Sequence, residues 1–327
     1  MNASAADGDP LVSVVIPTYN RPAYLRIALE SAVTQSYRNL EIIVCDNASP
    51  EDPSGIAAAF DDPRIRLHRN ERNLGPTPNT LLGVAMAAGK YVAILGDDDI
   101  WQPEFIATLL APLQADPDVV VAFCNHDIID AAGLRSAEST DRVTRRFGRH
   151  LLRAGTYRSF DDIALVYRAI CIVSGSIIRK HAIDWSRIPA DMPISVDLYI
   201  AYLLATAGGA CAFVPDYLMQ YRYHSLQSAG SMTNFHRSWR ADLRWTLELW
   251  LTFLRDERLH CRPYIKMTCA RKAAAILVYR LKQRELSGFG ADVAAFFRSG
   301  LLDPRNAYYF LHYFLRFRRQ HLGRLIP

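Results

Sequence analysis

Residues 11–22 read LVSVVIPTYNRP, an almost wholly apolar, β-branched run from Leu11 to Ile16 that stops at Pro17-Thr18-Tyr19-Asn20 and hands over to Pro22. Such a run suits a strand covered on both faces, as strands of parallel sheets are. Pro22 fits the first turn of a helix, and Leu25, Ala28, Leu29 and Ala32 then recur at helical spacing. The stretch therefore reads as a β-strand feeding an α-helix.

The pattern returns in Leu40 to Cys45, which precedes the turn-rich Asp46-Asn47-Ala48-Ser49-Pro50, and more weakly in Ile65 to His68. It returns again in Tyr91 to Leu95, fed by a helix expected over Thr80 to Ala88 with Gly89 as its C-cap. Strands alternating with helices predict an α/β fold with an open, mainly parallel sheet flanked by helices. Short strands expected at Val119 to Phe123, Cys171 to Ile178 and Cys211 to Val214 extend it into a mixed half suited to an acceptor. Ligands of such sheets bind beyond the carboxyl ends of the strands. Three of those ends are polar here, at Thr18 to Asn20, Asp46 and Asn47, and Asp97 to Asp99, so they should share one crevice.

The composition bounds the class. With 327 residues, half of them hydrophobic and 22% charged, the chain can bury a sizeable core. Six scattered cysteines without a Cys-x-x-Cys pair argue for reduced thiols and against a zinc site. Met1 to Pro10 lacks the features of a secretory signal, and no apolar run reaches the roughly 18 residues of a spanning helix. A cytoplasmic protein is the expectation.

The net charge of +5 is a property of the tail, because Arg262 to Pro327 holds 13 Lys and Arg against three acids. Beyond about Thr233 the reading is helical. Tyr308 to Arg319, YYFLHYFLRFRR, mixes aromatics with cations. This basic C-terminal region either lies peripherally on the inner face of the cell membrane or packs on the rest with its charges solvated. No nucleic-acid-binding motif accompanies the charge, so no nucleic-acid partner is expected.

The chemistry centres on Asp97-Asp98-Asp99, next to Gly96 at a strand end. Adjacent carboxylates repel one another unless a cation compensates them, and hard oxygen ligands suit Mg²⁺ or Mn²⁺. The alternative is an acidic cap on the helix expected near Pro103. A metal beside a pyrophosphate neutralises the charge that develops as a nucleotide leaves. Neither a GxxxxGK[ST] loop nor a GxGxxG fingerprint is present, which sets aside the usual NTPase and dinucleotide readings.

VSVVIPTYNRPAYLRIALESAVTQSYRNLEIIVCDNASP, then RNLGPTPNTLLGVAMAAGKYVAILGDDDIWQPEFI, resembles the donor half of family 2 glycosyltransferases with the GT-A fold, over roughly Val12 to Leu110. A weaker likeness to the acceptor half continues through Val196 to Ser228. The resemblance implies inverting transfer, assisted by Mg²⁺ or Mn²⁺, from a nucleotide-sugar donor of the UDP or dTDP type to a saccharide or lipid-linked saccharide acceptor. It places Pro17, Thr18 and Tyr19 at the base and ribose, with Asp46 and Asn47 beside the pyrimidine. Asn73 and Gly75 would approach the nucleotide. Asp98 would be the main metal ligand and Asp99 its helper, while Asp97 would face the ribose or stand behind the metal ligands. Asp197 takes the place of the general base, and Arg222 and His224 stand near the diphosphate. The family's aspartate motif has an acid where this chain has Gly96.

The domains implied are a catalytic unit over 1–232, its nucleotide half about 11–121 and its acceptor half about 122–232, and the basic region over 233–327. Two other readings remain open on the sequence. A sugar-phosphate nucleotidyltransferase would use a similar sheet and metal, but PTYNRP is not the Gly-rich, Arg-containing loop expected of one. A non-catalytic nucleotide-binding or scaffold protein is suggested by the missing acid at Gly96.

Overall fold

The first strand, β1 (Val12–Thr18), pairs in parallel with β2 (Leu40–Asp46), with α1 (Pro22–Val33) between them in the chain. This computed structural model describes residues 8–192, 196–224 and 247–269. Val12, Val14, Val15 and Ile16 are fully buried. Each such side chain is worth roughly 1.5–3 kcal/mol on burial, so this run anchors the fold. Helix α1 turns Leu25, Ala28, Leu29 and Ala32 onto the sheet, as their spacing requires.

Next along the chain come α2 (Ser54–Ala58), β3 (Ile65–Arg69), α3 (Pro76–Met86), β4 (Tyr91–Ile94), β5 (Ile100–Trp101) and α4 (Phe105–Ala115). The later elements are β6 (Val119–Ile129), α5 (Ala137–Arg146), β7 (Gly155–Arg158), β8 (Ser176–Arg179), α6 (Val196–Thr206) and β9 (Ala210–Arg222). Among the described residues they make one nine-stranded sheet in the order β3-β2-β1-β4-β8-β6-β9-β5, with β7 also on β9. The first four are wholly parallel, and the second half is mixed. Register sets Thr18 opposite Asp46 and Val15 opposite Ile94, so the polar ends of β1, β2 and β4 lie side by side.

Three local expectations are corrected. Gly89 does not cap α3, whose C-cap is the extended Ala87; the Gly89 N–H instead donates to Ser13 Oγ at 2.8 Å. The strand expected over Cys171 to Ile178 begins only at Ser176, because the backbone turns at Ser174, a buried residue with φ 68°. Strands β6 and β9 run far beyond their apolar cores, to Ile129 and Arg222. Their pairing shifts register around Cys124, Asn125 and His126, the mark of a bulge.

All six cysteines are thiols outside any disulfide. The chain forms two compact units, Met1–Gly230 and Ser231–Pro327. In the second, 247–255 and 262–269 are helical, and the Trp250 ring packs against Phe253 and Tyr264. The aromatic and basic stretch from Tyr308 to Arg319 lies outside the described residues. Among those described, no helix is long and apolar enough to cross a membrane.

Candidate active site

Thr18 Oγ1 at the end of β1 donates to Asp97 Oδ2 at 2.7 Å, tying the first strand to the acidic loop beyond β4. Arg21 Nη1 reaches Asp97 Oδ1 at 2.8 Å and Asp98 Oδ2 at 3.0 Å. Burial raises the Asp97 carboxyl above its ordinary range, Arg21 opposing and Asp98 adding to the shift. Asp99 is pushed up to about 8 by burial and by Asp98 beside it, which favours its neutral form near pH 7. Three adjacent acids are thus tolerated by one arginine and by protonation.

Asp99 is turned away from solvent. Its Oδ2 accepts from Ser174 Oγ at 2.6 Å and its Oδ1 from the Arg222 backbone N–H at 3.0 Å. Ser174 Oγ also accepts from Gly96 N–H at 2.9 Å, and the Ser174 carbonyl accepts from Trp101 Nε1 at 2.6 Å. The turn at Ser174 therefore fixes the acidic loop from behind. Arg222 is buried beneath the same loop, its Nε donating to the Asp98 carbonyl at 2.8 Å and its guanidinium lying over Tyr24. His224 Nε2 is 2.9 Å from Asp98 Oδ2, with its ring against that of Tyr24.

A cleft of about 350 Å³ opens above these residues, lined on one side by Pro17, Thr18, Tyr19, Arg21, Asn47 and Asn73 and on the acidic side by Asp97, Asp98 and Asp99. Tyr19 is 44% exposed and presents an aromatic face there. Asn47 organises the rim, its Nδ2 donating to Asn73 Oδ1 at 2.9 Å and to the Gly75 carbonyl at 3.2 Å. Asp46 does not line the cleft. It is fully buried, its oxygens met by Ser49 and by Arg69 Nε at 3.3 Å.

Asp197 lines the far lip with Cys171, Val173 and Tyr221. It is the second residue of α6. Burial raises it to about 6, against the opposing charge of Arg168. A carboxylate so placed is able to take a proton near neutral pH.

Among the described residues no three His, Cys, Asp or Glu side chains come together as a complete metal cage. The Asp98 oxygen nonetheless fits a cation, since it already takes the Arg21 guanidinium at 3.0 Å. Hard divalent ions are often held by one or two carboxylates with substrate phosphates filling the other positions. Sequence reasoning missed Arg21 and Ser174. A signal for Arg21 existed, because an acidic triplet demands a cation and Arg21 stands just past the first strand end. Ser174 gave none.

Residues 13–173 match the sequence model of Glycosyl transferase family 2. These residues form a glycosyl transferase family 2 domain. The chain is 34% identical over 122 residues to an uncharacterized glycosyltransferase, RP339, of Rickettsia prowazekii, a match spanning 37% of this chain and 38% of that protein. It is 26% identical to the succinoglycan biosynthesis protein ExoO of Rhizobium meliloti over 88% of this chain and 82% of ExoO. Two solved structures share the GT-A fold of this family 2 enzyme. Staphylococcus aureus TarS 1-349 in complex with UDP-GlcNAc gives a TM-score of 0.61 at 14% identity, covering 87% of this chain and 79% of that one. The mannosyltransferase PcManGT of Pyrobaculum calidifontis, in complex with GDP-Man and Mn²⁺, gives 0.57 at 18%, covering 93% and 86%.

Proposed function

We propose that this glycosyltransferase moves a sugar with inversion from a UDP- or dTDP-sugar to a glycan or lipid-linked acceptor, and that residues 1–232 form the catalytic unit. The reading rests on one observation, that Tyr19, the acidic loop and Asp197 line a single cleft. Tyr19 stacks on the base, whose flat face suits an aromatic ring. Thr18 and Asp97 stand at the ribose, and Asn47 holds the Asn73 to Gly75 rim against the nucleotide. Asp46 acts from beneath, fixing the Ser49 turn.

Asp98, with His224 beside it and Asp99 steadying the loop, is suited to hold Mg²⁺ or Mn²⁺, which when bound neutralises charge on the departing diphosphate. Arg21 supplies fixed positive charge at the same place. Asp197 takes the proton of the acceptor hydroxyl as its oxygen bonds to the anomeric carbon and the bond to the diphosphate breaks. Attack opposite the leaving group inverts that carbon. The likeness to ExoO, a succinoglycan biosynthesis protein, supports a polysaccharide-building role; a place at the cytoplasmic face of the membrane is part of the same proposal and rests on the basic C-terminal sequence.

The test is calorimetry of UDP, dTDP, GDP and ADP with Mn²⁺ and with EDTA, and then NMR of the product anomer. Metal-dependent binding of one pyrimidine diphosphate and an inverted product are expected. A retained anomer would overturn Asp197 as a simple base.

A further inference from the structure

A second cavity, of about 190 Å³, adjoins the cleft, and Cys171, Asp197 and Tyr221 line both. Arg149 and His126 line this second space together with apolar side chains such as Phe147 and Leu198. Arg149 is only 2% exposed. It comes directly after Gly148, which has φ 65° and where a Cβ would meet the Tyr167 ring at 2.8 Å. Only glycine is suited to that turn, which leads Arg149 into the interior.

A guanidinium carries five N–H donors. Here Nη2 lies 3.1 Å from His126 Nε2, Nη1 reaches the Ala169 carbonyl at a long 3.4 Å, and Nε has no hydrogen-bond partner among the described residues. Among the described residues Arg149 makes no hydrogen bond or ion pair with a carboxylate. His126 Nδ1 has no partner among the described residues either. Burial and the arginine hold His126 well below its ordinary value, so the imidazole is neutral. With Nε2 facing a donor, the proton belongs on Nδ1. Arg149 is therefore a buried cation with no paired carboxylate among the described residues, and its Nε–H and the His126 Nδ1–H are buried donors without acceptors there, an arrangement costly to maintain. Arg168 and Asp197 line the same space, and the charge of Arg168 acts on the Asp197 carboxyl.

We propose that Arg149 and His126 bind an anionic group of the acceptor, a phosphoryl or carboxylate group, in the cavity that opens at Asp197. This rests on the reading of Asp197 as the base. An acceptor anchored by its charge in this cavity presents a neighbouring hydroxyl to Asp197, which removes much of the positional freedom that opposes reaction.

The test uses the full chain, first saturated with UDP and Mn²⁺ so that the donor site is filled. Inorganic phosphate, pyrophosphate and glucuronate are then titrated by calorimetry. One of them is expected to bind at a single site, and Arg149→Met to weaken it by about tenfold or more while UDP affinity stays within about twofold. Preference for glucuronate assigns a carboxylate acceptor, and preference for the phosphates a phosphorylated one. Should Arg149→Met fail to fold, the Arg149 Nε–H resonance of the unaltered protein decides, since it must move as the anion is added. Absence of anion binding, equal binding by the variant or a silent resonance overturns the proposal. If UDP itself does not bind, the donor reading fails, and the same titration on the nucleotide-free protein still decides this one.

Discussion

His224 Nε2 lies 2.9 Å from Asp98 Oδ2, so the residues just past β9 meet the loop just past β4 at one carboxylate oxygen. That oxygen also receives Arg21. Asp98→Ala is expected to abolish metal-dependent UDP binding and to lower kcat by about 10³-fold or more, with unchanged circular dichroism. His224→Ala should cost about 10- to 100-fold in metal affinity. Calorimetry with a Mn²⁺ series reads both, and full activity of Asp98→Ala would remove this oxygen from the mechanism.

Asp197 titrates at about 6, above the ordinary carboxyl range. A base must be deprotonated, so kcat/KM should rise with pH through about 6 and then level off. Asp197→Asn should lower kcat/KM by about 10²- to 10⁴-fold and erase that limb of the profile. Stability should move the other way. The native state holds this proton more tightly than the unfolded chain, so the contribution is present below about pH 4 and is lost as pH rises to 6. At pH 7.5 the asparagine variant should therefore be more stable by about 1–2 kcal/mol, the gap closing toward pH 4, which melting curves at two pH values would read.

Ser174 offsets backbone strain with two hydrogen bonds, to Asp99 and from Gly96. Ser174→Ala loses both bonds and keeps the strain, and should cost about 2 kcal/mol. Ser174→Gly loses the bonds but relieves about 1 kcal/mol of the strain, so its Tm should fall less. The reverse order in thermal denaturation would show that the φ of 68° is not a burden.

Tyr19 offers a half-open ring at the cleft rim. Tyr19→Ala should raise KM for the donor by about tenfold with little change in kcat, and Tyr19→Phe should stay near the parent, since stacking needs only the ring. Steady-state kinetics over a donor series separates the two.

The parallel half of the fold was legible because strands buried on both faces leave an unbroken apolar record, as in Val12 to Ile16 and Leu40 to Cys45. The second half was not. The outer ends of β6 and β9 carry Asn125, His126, Asp127, Asp216 and Gln220, polar side chains that blur the strand signal. In the site, the acidic triplet declared itself by charge, and Asp197 was named by the family resemblance. Arg149 and Ser174 gave no such sign, because their importance lies in what each lacks or holds after folding: a paired carboxylate for one, a left-handed backbone for the other.

Helix α3 rests on β1 and β2 at Gly83, where an added Cβ would collide with Val15 and stand 2.8 Å from Cys45 Sγ. Thr80 and Thr77, about one and two turns earlier on that helix, line the cleft. The breadth of the cleft is thus gauged by an absent side chain at its far end. Enlarging residue 83 would pry the helix outward and act as an error of measurement, admitting the wrong sugar nucleotide while every reacting group stayed in place.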